Sequence, residues 1–355
     1  AGTGKTNTLA HRVAHLILEG ATPERILLLT FSRRAAQEMI RRTQRIVGET
    51  LREVRLPWSG TFHSVANRLI RRHCAQLGLD ESFSVLDRGD AADLMDVVRH
   101  ELDFSRTEKR FPRKDTCLAI YSHRVNTQGP LQETLDQHFP WCAEWAEELT
   151  RLYRAYVERK LANQALDYDD LLLYWHAMMA EPAVAEEIGA QFDHVLVDEY
   201  QDTNVLQAEI VKALKPTGEG VTVVGDDAQA IYSFRAATVE NILGFPEGYE
   251  PKASVIALEE NYRSTQGILD AANALIGEGQ RQYRKTLHAR KGEGAMPCYV
   301  TVADDQSQAE YVVTRVLETR EKGVALRRQA VMFRSSHHSD VLELELARRN
   351  IPFVK

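Results

Sequence analysis

Over residues 8–19 apolar positions recur at helical spacing: Leu9, Val13, Leu16 and Ile17 share one face, and Gly20, followed by Pro23, ends the run. The next apolar stretch has a different character. Residues 26–31 carry nothing polar until Thr30, the composition of a central parallel strand covered on both faces. Two runs of the same kind come much later, residues 194–197, ending at Asp198, and residues 221–224, ending at Gly225. Helix and strand thus alternate in the manner of an α/β fold with a parallel sheet, and in open α/β sheets ligands gather at the carboxyl ends of the strands. The polar clusters after each run predict where the chemistry collects.

Between about residues 87 and 190 the pattern changes to long amphipathic helices rich in Leu, Glu, Arg and Trp (Trp141, Trp145, Trp175), with no convincing strand. This predicts a helical insertion, residues 87–189, splitting a first sheet domain made of residues 1–86 and 190–265. From residue 266 a second, partial α/β unit is predicted to run to residue 355: helix 265–276, strand 298–302, helix 306–320, strand 330–333, helix 339–349 and a strand-like stretch at 351–354. A chain of 355 residues suits two or three domains at roughly 150 residues each. The first residue is Ala rather than Met and the last lies in that strand-like stretch, so both ends read as cut.

Composition changes this picture only in part. Hydrophobic residues at 44% and charged residues at 27% are ordinary globular values. Cys74, Cys117, Cys142 and Cys298 are too widely spaced for a Cys-x-x-Cys zinc pair and read as reduced thiols of a cytoplasmic protein. No apolar run approaches the ~18 residues that would cross a bilayer. With 44 Lys and Arg against 51 Asp and Glu, the net charge of −7 argues on its face against a nucleic-acid binder. The balance is local, however. Residues 31–75 hold ten Arg and three acidic residues, a density that predicts a phosphate track rather than merely a solvated face.

Ala1-Gly2-Thr3-Gly4-Lys5-Thr6 matches the end of the phosphate-binding loop G-x-x-x-x-G-K-S/T, with a helix directly behind it. There, backbone N–H groups and the helix dipole face phosphate oxygens, Lys5 reaches the terminal phosphates and Thr6 can ligate Mg²⁺. The first Gly of the pattern lies outside the chain, and a flexible Gly-rich terminus is the plainer alternative. The run ending in Asp198-Glu199 supplies what such a loop needs: Asp198 to hold Mg²⁺ and Glu199 to orient or deprotonate an attacking water. Taken alone, the two acids could equally cap the next helix.

Together these residues resemble superfamily 1 helicases of the UvrD, Rep and PcrA type. The resemblance rests on seven segments in the family's order. Beside the acidic segment 198–204 they include Thr30-Phe-Ser-Arg-Arg-Ala-Ala-Gln-Glu-Met39, Gly60-Thr-Phe-His63-Ser, Leu166-Asp-Tyr-Asp-Asp-Leu171, and Val224-Gly-Asp-Asp-Ala-Gln229-Ala-Ile-Tyr232-Ser-Phe-Arg235. Leu258-Glu-Glu-Asn-Tyr262-Arg263-Ser and Val331-Met-Phe-Arg334 complete it, the last as a strand of a second motor domain. The resemblance implies a RecA-like P-loop fold with a helical insertion and the start of a second RecA-like domain. It implies ATP and Mg²⁺ as cofactors, with Ala1 to Thr6, Gln229, Tyr262 and Arg263 around the nucleotide. Lys5, Asp198, Glu199, Gln229 and Arg263 would act in hydrolysis: Gln229 senses the γ-phosphate, Arg263 stabilises charge on it, and Tyr262 stacks on adenine. Gln201 and Asp202 would support the site, although Asp202 also fits as a helix cap. Phe31, Arg33, His63, Tyr232, Phe234 and Arg235 would bind DNA, while core packing is the competing reading for Phe31. Isolated histidines such as His123, His337 and His338 show no metal-ligand spacing and read as surface residues.

The implied activity is ATP-dependent 3′-to-5′ movement along single-stranded DNA with unwinding at single-strand/duplex junctions, in repair or replication restart, beside unidentified protein partners. The implied setting is the bacterial cytoplasm, associated with the nucleoid and away from membranes. Two alternatives stand beside it: the motor module of a RecB/AddA-type helicase-nuclease, and a non-catalytic nucleotide- or DNA-binding fragment. The family's later motifs, including a second arginine, are absent from this chain, so hydrolysis by this chain alone is not implied.

Overall fold

All five residues of strand β1, Ile26–Thr30, are buried, and they serve two cores. Ile26 and Leu28 face Leu9, Val13, Met39 and Leu196, whereas Leu27 and Leu29 face Phe62, Val65, Leu69 and Val195. That division is the physical reason for the unbroken apolar run: successive side chains point to opposite faces, and both faces are covered. The computed structural model describes residues 1–48, 55–104 and 109–355. Glu49, Arg52 and Glu53 of the Arg-rich stretch lie outside the described residues.

In chain order the remaining strands are β2 (Ser59–Thr61), β3 (Ser84–Val85), β4 (Ala165–Leu166), β5 (His194–Val197), β6 (Val221–Val223), β7 (Glu260–Asn261) and β8 (His288–Ala289). Four form one parallel sheet in the order β2-β1-β5-β6. Leu29 stands opposite both Gly60 and Val197, so the strands end level, and Asp198 N–H donates to Leu29 O at 2.9 Å. Helices Lys5–Leu18 and Arg33–Val47 cover one face, and Phe62–His73 with Tyr168–Ala180 the other. Ser32 and Thr61 cap the second and third of these helices through Ala35 N–H (3.1 Å) and Ser64 N–H (3.3 Å). The first helix begins at Lys5, three residues before the apolar periodicity starts.

Residues 87–189 are mainly helical, through Arg88–Glu101, Lys114–Thr127, Leu131–His138, Ala146–Ala162 and Tyr168–Ala180. The stretch does contain a strand, contrary to expectation: β4 pairs in parallel with β3, which lies just before it in space and far before it in sequence. Two residues leave no period to detect. Behind β4, Lys160 is fully buried between Asp167 (2.7 Å) and Asp170 (2.5 Å), with its ammonium over Tyr156. Asp167 and Asp170 also cap helix Tyr168–Ala180 reciprocally. Coulombic attraction and hydrogen bonds offset the cost of burying this cation.

The chain divides into two compact units, residues 1–295 and 296–355. Residues 266–295, including helix Gln266–Gly277 and β8, belong to the first unit. In the second, helices Asp305–Glu321 and Asp340–Arg348 meet through Ala309, Val313, Leu342 and Leu346, with Ile351 closing the cluster. The strands expected at 298–302, 330–333 and 351–354 are not formed; Tyr299 is 93% exposed, Met332 92% and Val354 99%. An apolar run becomes a strand only where a second backbone supplies ladder partners, and among the described residues none does. Among the described residues no helix is long and apolar enough to cross a membrane.

Candidate functional site

The loop before helix Lys5–Leu18 is shaped by two glycines in the left-handed region, Gly2 at φ 87° and Gly4 at φ 82°. Gly2 is doubly constrained, because a Cβ there would sit 2.5 Å from Arg263 Cβ. The segment that approaches so closely is pinned by Asn261, which is buried. Its Nδ2 donates to Ala1 O at 2.6 Å, and its Oδ1 accepts from Arg263 N–H (3.0 Å) and Ser264 N–H (2.9 Å). Tyr262 N–H donates to Gly2 O at 2.9 Å. Asn261 was not among the residues expected here; its signal is the Asx-type turn at the start of Asn-Tyr-Arg-Ser. The Tyr262 ring is exposed and its hydroxyl donates to Glu260 Oε2 at 2.5 Å. Arg263 is exposed and makes no ion pair among the described residues.

Asp198 follows β5 directly and is buried. Burial and the neighbouring Glu199 push its carboxyl up to about 6, against the pull of Glu199 N–H (3.1 Å), the Thr6 hydroxyl and Lys5. Glu199 occupies the left-handed region at φ 49°, a strained position for a side chain without glycine's freedom, and the turn it makes aims its carboxylate at Gln201. Gln201 Nε2 donates to Glu199 Oε2 (3.0 Å) and to Asp202 Oδ2 (3.2 Å). Burial and the Glu199 charge push Asp202 up to about 6 as well, and its Oδ1 is buried without a partner among the described residues. The helix-cap reading of Asp202 is corrected: Asn204 caps Val205–Leu214 through Gln207 N–H at 2.9 Å.

Lys5 Nζ reaches Asp226 Oδ2 at 3.4 Å, and Gln229 Nε2 donates to the same oxygen. Lys285, also absent from the sequence expectations, joins Asp226 to Asp227, the latter at 2.6 Å. Burial works to raise the Asp226 carboxyl, but hydrogen bonds from Lys285 and Gln229 and the Lys5 charge outweigh it and hold the group well below the usual carboxylate range. Nothing in the local sequence around Lys285 announces a partner 59 positions away.

For Mg²⁺, the donors on offer are the Thr6 hydroxyl and the buried Asp198 carboxylate, which the Thr6 hydroxyl helps to hold ionised. They fit a hard cation that binds one or two protein oxygens and takes the rest of its shell from phosphates and water. Among the described residues no group of three or more His, Cys, Asp or Glu could hold a metal by itself.

Beyond the carboxylates opens a cleft of about 510 Å³ whose wall includes Asp198, Glu199, Phe31, His63, Phe234 and Arg235. Phe31 lies just past β1 and is 41% exposed, so the core-packing reading fails for it. Its ring meets Tyr232 at 4.8 Å, Tyr232 meets Phe234 at 5.7 Å, and the Arg235 guanidinium stands over both at 5.5 and 5.6 Å. Phe234 is 69% exposed. Tyr168, unanticipated, stands edge-on to His63 at 5.7 Å in the same cleft. Burial pushes the His63 imidazole down to about 4, so it is neutral near pH 7. Arg33 is exposed at the start of its helix.

One expectation is corrected by the surface, that for His123. The described arginines of the 31–75 stretch lie outside the cleft lining, whose cations are Arg88 and Arg235. Arg68 and Arg72 instead stack on Trp58 at 4.2 and 4.5 Å, and Arg71 on Phe83 at 4.1 Å. His123 is half-buried against His138 (4.2 Å) rather than a surface residue, whereas His337 and His338 are exposed.

Residues 1–250 match the UvrD/REP helicase N-terminal domain, and residues 256–355 match the UvrD-like helicase C-terminal domain. The ATP-dependent DNA helicase PcrA of Staphylococcus epidermidis is 34% identical over 359 residues, covering 99% of this chain and 47% of the relative. The PcrA of Staphylococcus aureus is 33% identical over the same length and coverage. The chain spans about half the length of these curated relatives. With a RecA-like parallel sheet, a phosphate-type loop and a domain match over more than half its residues, the chain belongs to the UvrD/REP helicase family.

Proposed function

We propose that this chain is the ATP-binding and DNA-gripping part of an ATP-dependent DNA helicase that moves 3′ to 5′ on single strands in the bacterial cytoplasm. The observation that carries the reading is a shared wall: Asp198 and Glu199 border the same cleft as Phe31, His63 and Phe234. A change at the nucleotide is thereby felt directly by groups suited to stacking bases, which is the coupling that a motor needs.

In this reading the N–H groups around Gly2 and Gly4 cradle phosphates, and Lys5 turns from Asp226 to the terminal ones. Glu199 orients and deprotonates the attacking water, with Gln201 fixing its carboxylate. Gln229 follows the γ-phosphate, Arg263 offsets charge developing there, and Tyr262 supplies a face for adenine. Thr6 and Asp198 would hold Mg²⁺, which when bound neutralises phosphate charge. Phe31, Tyr232, Phe234, His63 and Tyr168 give sequence-tolerant stacking, while Arg33 and Arg235 meet the phosphodiester backbone.

The test has two stages. A fluorescent ATP analogue should bind this chain, and Lys5→Ala should remove most of that binding. In a protein spanning the full length of the relatives, single-stranded DNA should stimulate hydrolysis, and 3′-tailed duplexes should unwind in preference to 5′-tailed ones. Glu199→Gln should retain ATP and hydrolyse it far more slowly. Binding untouched by Lys5→Ala, or hydrolysis untouched by Glu199→Gln, refutes the assignment.

A further inference from the structure

Asp226 is shared by two lysines. Its Oδ2 accepts from Lys5 at the long distance of 3.4 Å, from the Ala1 amino group at 3.2 Å and from Gln229, while its Oδ1 is taken by Lys285. The Lys285 ammonium also bonds Asp227 Oδ1 at 2.6 Å, and the side chains of Lys285, Asp226 and Asp227 are only 17%, 10% and 4% exposed. Lys285 is not a floating surface charge, because its segment is strapped down just ahead of the contact. Tyr283 N–H donates to Asp227 Oδ2 at 3.1 Å, the Tyr283 hydroxyl donates to Ile242 O at 3.0 Å, and Arg281 pairs with Glu240.

This arrangement has an electrostatic consequence for the loop. A terminal phosphate must take Lys5 and Gln229 away from Asp226, and a buried carboxylate resists losing its last cation. It also repels an incoming polyanion. A second, built-in cation removes both obstacles: when Lys5 leaves, Asp226 and Asp227 still share Lys285. We propose that Lys285 is a positioning residue of the nucleotide site, keeping Asp226 compensated so that Lys5 and Gln229 are free to engage the terminal phosphate. The inference rests on the nucleotide reading given above and adds to it a residue that touches no phosphate itself.

The experiment is a titration of the chain with a fluorescent ATP analogue and Mg²⁺, comparing wild type with Lys285→Gln, Lys285→Arg, Asp226→Asn and the Lys285→Gln/Asp226→Asn pair. Lys285→Gln should weaken binding about tenfold, because Lys5 stays with a carboxylate that has lost the cation on its Oδ1, and Lys285→Arg should restore most of it. On the Asp226→Asn background, loss of Lys285 should cost less than about twofold, since the carboxylate that competes for Lys5 is gone. In a full-length protein the same loss should appear in KM for ATP with kcat nearly unchanged. If Lys285→Gln does not fold, as judged by its melting curve, the Arg variant and the double variant still decide the matter. Unchanged affinity in Lys285→Gln, or a loss that persists in full on the Asp226→Asn background, overturns the inference. Failure of the wild type to bind ATP would refute the underlying nucleotide reading instead.

Discussion

Gln201 and Asp226 are joined by a 2.9 Å hydrogen bond from the Asp226 backbone N–H to the Gln201 side-chain carbonyl. The other end of the same amide holds Glu199 and Asp202. One buried side chain thus ties the acidic turn after β5 to the turn after β6, and sets the geometry of both. Gly225 leaves room for it: a Cβ there would meet Gln201 Oε1 at 2.7 Å.

Gln201→Leu should therefore destabilise the protein by about 1–3 kcal/mol, because it strands a buried backbone N–H and frees two carboxylates. Denaturant unfolding measures this. A change below about 0.5 kcal/mol would mean that water replaces the amide without loss.

Phe234→Ala should weaken single-strand binding by about 1–3 kcal/mol if a base stacks on the ring. With the ring 69% exposed, stability should move by no more than about 0.5 kcal/mol. Fluorescence anisotropy with a labelled oligonucleotide and a parallel melt separate the two. A large stability loss with unchanged DNA affinity would return Phe234 to a packing role.

His63 sets a pH dependence whose sign follows from its burial. The folded imidazole is pushed down to about 4 from an ordinary value of 6.5, so between those values the unfolded chain binds the extra proton. Stability is complete above about pH 6.5 and declines as pH falls through the window. For a half-buried ring the decline should be about 1–2 kcal/mol, and His63→Gln should flatten it. Because His63 is neutral near pH 7, the same variant should leave the salt dependence of DNA binding unchanged. Unfolding free energies from pH 4 to 7 check the first statement, and binding at several salt concentrations checks the second.

Lys160→Met removes the cation between Asp167 and Asp170 and should cost about 3–5 kcal/mol, since two buried carboxylates lose their partner. Replacing all three by apolar residues of similar volume should recover much of that. Urea unfolding of the single and triple variants tests both, and a mild effect of the single change would show that the carboxylates protonate at little cost.

Much of the molecule was legible from the chain alone, for reasons that lie in local physics. The run His194–Val197 is a strand because both faces are covered, and its final residue puts Asp198 at a carboxyl edge. The Gly-x-Gly-Lys-Thr loop was readable because left-handed backbone at a helix start needs glycine, and helix periodicity located Asp305–Glu321 and Asp340–Arg348 to within a residue. What escaped was whatever depends on pairing across distance. β4 is two residues long, the run at 330–333 needs a partner backbone to be a strand, and Arg68, Arg71 and Arg72 found indole, phenyl and carbonyl groups that no charge count could foresee. Asn261, Lys285 and Tyr168 belong to the same class. Their residue types are common, and only the tertiary structure, by bringing them to Ala1, Asp226 and His63, gave each something specific to touch.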